Sequence, residues 1–221
     1  MALELSHALC ETVTDEVSSI ISGFAEVGLD AIMKDGLLKD IPFISTAISL
    51  YKIGTSIHDR HYIQKLTLFL NAINERTASE EEKAKLRNRI NKNPAKSSAE
   101  IEYLLVVIDR FIELDKPSLL AKLYLAYLDG KLSWSELTQY SVVIDRFLPG
   151  DLQTLNERKI VFSSYNSITA ACLRLIAQGL MVEYVHDPRI TGRMKDPTDI
   201  SKRYEVTRFG EKLISILLQV H

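Results

Sequence analysis

The sequence predicts a mainly α-helical protein whose C-terminal part adds a small β-hairpin. Apolar residues recur at three- and four-residue steps along most of the chain, the period of a helix with one buried face. Only Leu180–Val185 and Arg203–Val206 have strand composition, and both lie near the end. The 221 residues are 46% hydrophobic and 25% charged with a formal net charge of -2. That is ordinary for a globular chain able to bury one large core or two small ones, and it excludes a globally basic nucleic-acid binder.

Element by element, the first amphipathic stretch runs from about Leu5 to Met33, with Val13, Val17, Ile20, Ile21, Phe24 and Val27 near helical spacing. Asp35-Gly36 breaks it, and Asp40 stands where an N-cap belongs, with Pro42 in the first turn of a helix expected to reach Ile57. The uncharged, strongly apolar run Ile41–Tyr51 has eleven residues. A bilayer span takes about twenty, so a buried core helix is expected there, integral membrane insertion is not, and a membrane-surface helix is the alternative. Tyr62–Ile73 places Ile63, Leu66, Leu70 and Ile73 on one side of a further helix.

Between Glu75 and Ser98 the composition turns polar. Ser79 and Glu82 form a capping box, acids fill the first turn, and Lys83, Lys85, Arg87, Arg89 and Lys92 load the remainder up to Pro94. A solvated helix joining two halves is the expectation. Lys85, Arg89 and Lys92 share a face that offers phosphate or an acidic partner a second use.

The hexapeptide Val-Val-Ile-Asp-Arg-Phe occurs at Val106–Phe111 and again, unchanged, at Val142–Phe147, 36 positions later. A duplicated helical element follows, although two copies are too few for a solenoid. Asp129–Glu136 has the Gly and Glu of a calcium loop, but Leu125 and Tyr127 stand where carboxylates are needed, so a tight turn with a Ser133/Glu136 capping box is expected. His58 and His61 lack a third ligand at any defined spacing, so no metal is expected. Phosphate loops, nucleophile elbows and zinc motifs do not occur, and neither enzyme activity nor a cofactor is expected. Cys10 and Cys172 are two residues of small-hydrophobe character, which suits a reduced, cytoplasmic protein. Met1–Glu4 has no basic start, and Glu11, Asp15 and Glu16 interrupt any signal-like apolar run.

The C-terminal third carries the functional reading. Ser163–Gln178 reads as a helix with Ile168, Ala171, Cys172, Leu175 and Ile176 inward, stopped by Gly179. A strand, a loop punctuated by Asp187-Pro188, Thr191-Gly192 and Asp196-Pro197, a second strand and a closing helix from about Arg208 to Val220 follow. The corner Ala177-Gln178-Gly179-Leu180-Met181-Val182 and the turn Val206-Thr207-Arg208-Phe209-Gly210-Glu211-Lys212-Leu213 resemble those of winged-helix regulators of the MarR and PadR type. The resemblance implies a winged helix-turn-helix with a β-hairpin wing. Thr207 has its own reason to be there as the cap of the last helix.

On that reading the chain divides into a helical region with a charged linker helix at 1–98, a helical array with the duplicated element at 99–148, and a winged-helix domain at 149–221. The expected function is non-enzymatic, a DNA-binding transcriptional regulator, with a homodimer through the helical half as its expected assembly. Arg174, Arg189, Arg193, Lys195, Lys202 and Arg203 are the candidate DNA contacts, gripping phosphate with salt-sensitive affinity. The outward positions of the recognition helix, Ser167, Ala170, Leu173, Arg174 and Ala177, are poor in side chains that read base edges. The alternative is therefore an interaction module that docks a protein partner or a membrane surface.

Overall fold

A computed structural model of the protein describes residues 4–13, 40–77, 79–157, 159–162, 169–186 and 201–218, with backbone alone for 159–162, 185–186 and 201–203. The described residues form α1 (Glu4–Thr12), α2 (Pro42–Tyr51), α3 (Ile57–Arg76), α4 (Glu80–Asn91), α5 (Pro94–Arg110), α6 (Lys116–Leu128) and α7 (Trp134–Asp145), then α8 (Asp151–Asn156), β1 (Lys159–Phe162), α9 (Ala170–Ala177), β2 (Met181–His186), β3 (Ser201–Val206) and α10 (Arg208–Leu217). The protein is mainly helical with one small antiparallel sheet. It divides into two units, Met1–Asp145 and Arg146–His221.

In the first unit the uncharged run does form a core helix. Ile41, Phe43, Ile44 and Ala47 are fully buried, and α2 packs on α1, where the Phe43 amide donates to Thr12 Oγ1 at 2.9 Å. The expected cap differs: Ile41, not Asp40, is the N-cap, without a side-chain bond, and the helix stops at Tyr51 with Lys52 left-handed at φ 52°. Burying the Ile41 side chain is worth about 1.5–3 kcal/mol, more than a polar cap at roughly 1 kcal/mol, so packing sets this helix start.

Local signals decide other boundaries. Capping boxes Ser56/Asp59, Ser79/Glu82 and Ser133/Glu136 open α3, α4 and α7. The charged helix α4 is more than a linker, because Leu86 and Ile90 are buried and it packs on both α1 and α5. Both stretches 1–98 and 99–148 thus contribute to one unit, whose core adds Leu66, Phe69 and Ile73 of α3 and Leu120, Leu123 and Tyr124 of α6.

The second unit holds a three-stranded sheet in the order β1-β3-β2. The β2–β3 ribbon is the expected hairpin, running from Met181 opposite Val206 to His186 opposite Ser201. Strand β1 is a departure: it pairs antiparallel with β3, Lys159 opposite Glu205 through Phe162 opposite Lys202, and sequence reasoning assigned no strand there. Helix α9 is described from Ala170, capped by Thr169, whose Oγ1 accepts from the Cys172 amide. The earlier residues of the expected Ser163–Gln178 helix lie outside the described residues as far as 168.

Gly179 ends α9 with φ +73°, a left-handed position that suits a residue without Cβ. The chain is then stitched to the start of α10: the Thr207 amide donates to Leu180 O at 2.9 Å and Thr207 Oγ1 to Gly179 O at 2.7 Å. The same Oγ1 accepts from the Gly210 amide at 3.1 Å, which is the cap expected of Thr207. Gly210 itself lies so close to the Leu180 carbonyl that a Cβ would collide with it, which explains glycine three residues after the capping threonine.

Candidate functional site

Helix α9 presents its surface as its periodicity dictates. Cys172 and Leu175 are fully buried, whereas Ala170, Leu173 and Ala177 are exposed, Leu173 at 52%. The adjoining strand β2 buries Met181 and exposes Val182 and Tyr184, two residues apart and so on one side of the sheet. This unit therefore shows solvent a set of large apolar side chains on its described surface.

Arg174 is the one candidate DNA contact whose side chain is described, and it turns inward. Its Nη2 donates to Asp151 Oδ1 at 2.6 Å and its Nε to Oδ2 at 3.1 Å. Asp151 is fully buried and also accepts the Leu148 amide at 3.0 Å. The fork-to-fork pair ties α9 to the first turn of α8, and the bond to Asp151 holds the Arg174 guanidinium above its usual range. Two of the guanidinium's five N–H donors are thus committed to a buried carboxylate, which gives Arg174 a bracing role between α8 and α9.

The other candidates are placed less closely. Lys202 and Arg203 belong to β3, opposite Phe162 and Val161 of β1 and opposite Val185 and Tyr184 of β2. Arg189, Arg193 and Lys195 lie outside the described residues, in the segment 187–200 between β2 and β3.

A second constellation comes from the duplicated hexapeptide. The copies end α5 and α7, and their apolar positions share one environment: Val106 and Val142 are exposed, Val107 and Val143 are each 7% exposed, Ile108 and Ile144 are fully buried, and Phe111 and Phe147 are buried. Each copy also receives a buried lysine. Lys65 Nζ donates to Asp109 O at 2.6 Å and to Phe111 O at 2.9 Å, while Lys116 Nζ donates to Asp145 O at 2.9 Å. Both ammonium groups satisfy carbonyls at a helix C-terminus, where the backbone has spare acceptors and a partial negative charge.

Charge surrounds this junction. Arg110 meets Asp145 at 2.8 Å, His58 Nε2 lies 3.3 Å from Asp109 Oδ1, and Lys116 pairs with Glu113 at 2.6 Å. Burial pushes Lys65 below the usual lysine range, partly offset by Asp109, and the Lys116 bond holds Glu113 below the usual carboxylate range. The two lysines donate to backbone carbonyls and a carboxylate, an arrangement that fastens helices together. Sequence reasoning found the repeat but not Lys65 or Lys116: Lys65 follows Gln64 within α3 and Lys116 opens α6 after Asp115, so neither stands out from its neighbours.

Among the described residues no group of three or more His, Cys, Asp or Glu is placed to hold a metal ion, and no helix is long and apolar enough to cross a membrane. Cys10 and Cys172 are free and buried. Comparison with protein families, curated proteins and solved structures gives no match to this chain.

Proposed function

We propose that this chain is a non-enzymatic interaction protein whose C-terminal unit is a winged-helix-like docking module, and that α9 carries the contact to a second copy of the chain. The observation that supports this reading is the solvent face of α9: Leu173, 52% exposed, stands between exposed Ala170 and Ala177, while Arg174 is held on Asp151. A helix that reads a DNA groove needs Arg, Asn or Gln at such positions. A leucine with alanines three residues before and four after it offers a knob beside two hollows, a pattern that is self-complementary about a two-fold axis.

Sedimentation velocity across a range of protein concentrations tests it. A concentration-dependent dimer that Leu173→Asp converts to monomer, with helical circular dichroism unchanged, is the expected result. A wild-type monomer at every concentration, or a dimer indifferent to Leu173→Asp, removes the support.

A second reading, the DNA-binding regulator, is favoured by one feature: Lys202 and Arg203 sit in the central strand of the sheet, and Arg189, Arg193 and Lys195 lie in the stretch between β2 and β3. Fluorescence anisotropy of labelled duplex DNA at two salt concentrations separates the readings. Under the regulator reading, binding weakens steeply with salt and Arg193→Ala with Lys195→Ala abolishes it.

A further inference from the structure

Three aromatic rings from three helices meet in the first unit. Tyr103 of α5 and Tyr127 of α6 both pack on Trp134, which opens α7, with ring centroids 5.4 Å apart in each pair and planes inclined at 70° and 63° to the indole. Two rings are set steeply against a third, and all three remain half-buried, so the cluster keeps part of its aromatic surface in solvent. Behind them the packing continues inward, since Tyr127 stacks on the fully buried Tyr124 at 6.4 Å and Tyr124 neighbours Phe69 at 6.5 Å. Tyr103 is further fixed by a hydrogen bond shared with the buried Ser141 hydroxyl at 2.9 Å.

A carboxylate is sunk beside the cluster. Glu100 is only 7% exposed, and its Oε1 accepts from the Tyr127 hydroxyl. The cation paired with it is Lys96, whose side chain is 62% exposed and whose Nζ stands 3.5 Å from the same oxygen. Lys96, Glu100 and Tyr103 follow at four- and three-residue steps, one face of α5, so an ammonium, a carboxylate and a ring line up at one edge of the cluster. Lys96 is bonded to the Tyr127 hydroxyl as well as to Glu100, which holds it above the usual lysine range, yet its side chain stays in solvent and is the member of this group that another cation can displace.

We propose that Tyr103, Tyr127 and Trp134, with Glu100, form a binding site for a small quaternary ammonium of the choline class. Such a cation has a diffuse charge and an apolar methyl shell, so it sheds water readily and rests against ring faces, whereas a primary ammonium is strongly hydrated and stays at the carboxylate. Lys96 occupies the carboxylate in the free protein and swings into solvent when the ligand enters.

Trp134 is the single tryptophan of the chain, so its fluorescence reports on this cluster alone. The full chain is titrated with tetramethylammonium chloride and with choline chloride, against sodium chloride at matched ionic strength and against the uncharged tert-butyl analogue of choline. The expected result is a saturable emission change with both ammonium salts, weaker by about tenfold or more with the analogue and in Glu100→Gln and Tyr103→Leu. Lys96→Met, at an exposed position, removes the competing cation and is expected to tighten binding severalfold. No saturable change in wild type and Lys96→Met, or an equal response to the uncharged analogue, overturns the proposal.

Discussion

The Arg110 guanidinium meets the Asp145 carboxylate at 2.8 Å, so the first copy of the repeated hexapeptide grips the second. The repeat is thus a structural device: two helices end on the same six residues, each last turn accepts a buried lysine, and one ion pair joins them.

Removing the buried and the exposed members of this junction has unequal consequences. Lys65→Met leaves the Asp109 and Phe111 carbonyls without their charged donor inside the protein, which costs about 2–4 kcal/mol. Arg110→Ala removes an ion pair from a side chain that is 63% exposed and costs about 0–1 kcal/mol. Urea denaturation followed by circular dichroism checks the difference; equal midpoints for the two variants contradict it.

Cys10 is expected to resist alkylation in the folded protein. Burial, partly offset by Arg87, raises its thiol from 9.0 to about 11. At pH 8 that leaves about one thiol in a thousand ionised against one in ten in the unfolded chain, so iodoacetamide reacts about a hundredfold more slowly. The folded value is the higher one, so the stability it contributes is complete below pH 9.0 and is lost as pH rises to about 11. Cys10→Ala should flatten the stability profile across that window. Peptide mass mapping that finds Cys10 modified equally fast with and without urea contradicts the expectation.

What the sequence made legible was local. Ser79/Glu82 and Ser133/Glu136 are three residues apart, Gly179 and Thr207 act within a turn, and all four boundaries stand as read. What it hid was pairing at a distance. The bonds from Lys65 to Asp109 and from Arg174 to Asp151 span 44 and 23 residues, and no local pattern names the partner. Strand β1 has four residues and pairs with β3 some forty positions later; its Ile160-Val161-Phe162 has strand composition, but a run that short carries no period to read. For the candidate site the same holds, because what an arginine such as Arg174 does depends on whether a buried carboxylate elsewhere in the chain engages it.

Gly210→Ala should destabilise the second unit while sparing the first. The added Cβ meets the Leu180 carbonyl oxygen and, at 2.6 Å, Val206 Cγ1, and the carbonyl is itself fixed by the Thr207 amide. Overpacking of this kind costs about 1–3 kcal/mol. Gly150→Ala is the contrast: nothing lies within 4 Å, and only its φ of +90° opposes the side chain. Hydrogen exchange should show faster opening of α10 and β2 in Gly210→Ala, with α3 and α6 unchanged; uniform acceleration, or none, argues against the close approach.

The Asp151–Arg174 pair gives a prediction in which two losses are smaller than one. Arg174→Leu leaves a fully buried carboxylate with the Leu148 amide as its remaining donor, and stranding a buried charge costs about 2–4 kcal/mol here, reduced because Arg174 is one-third exposed. Asp151→Leu strands the guanidinium instead, but that group can still turn to water. The double replacement removes both charges and fills the space with apolar atoms, so it should recover much of the stability lost in Arg174→Leu. Thermal unfolding of the three variants yields the coupling; additive losses would mean the pair does not act as a unit. The same variants bear on DNA binding. If Arg174 braces α9 and does not touch phosphate, the double variant, with α9 still seated, keeps whatever salt-dependent DNA affinity the wild type has; a contact residue would lose it in every background.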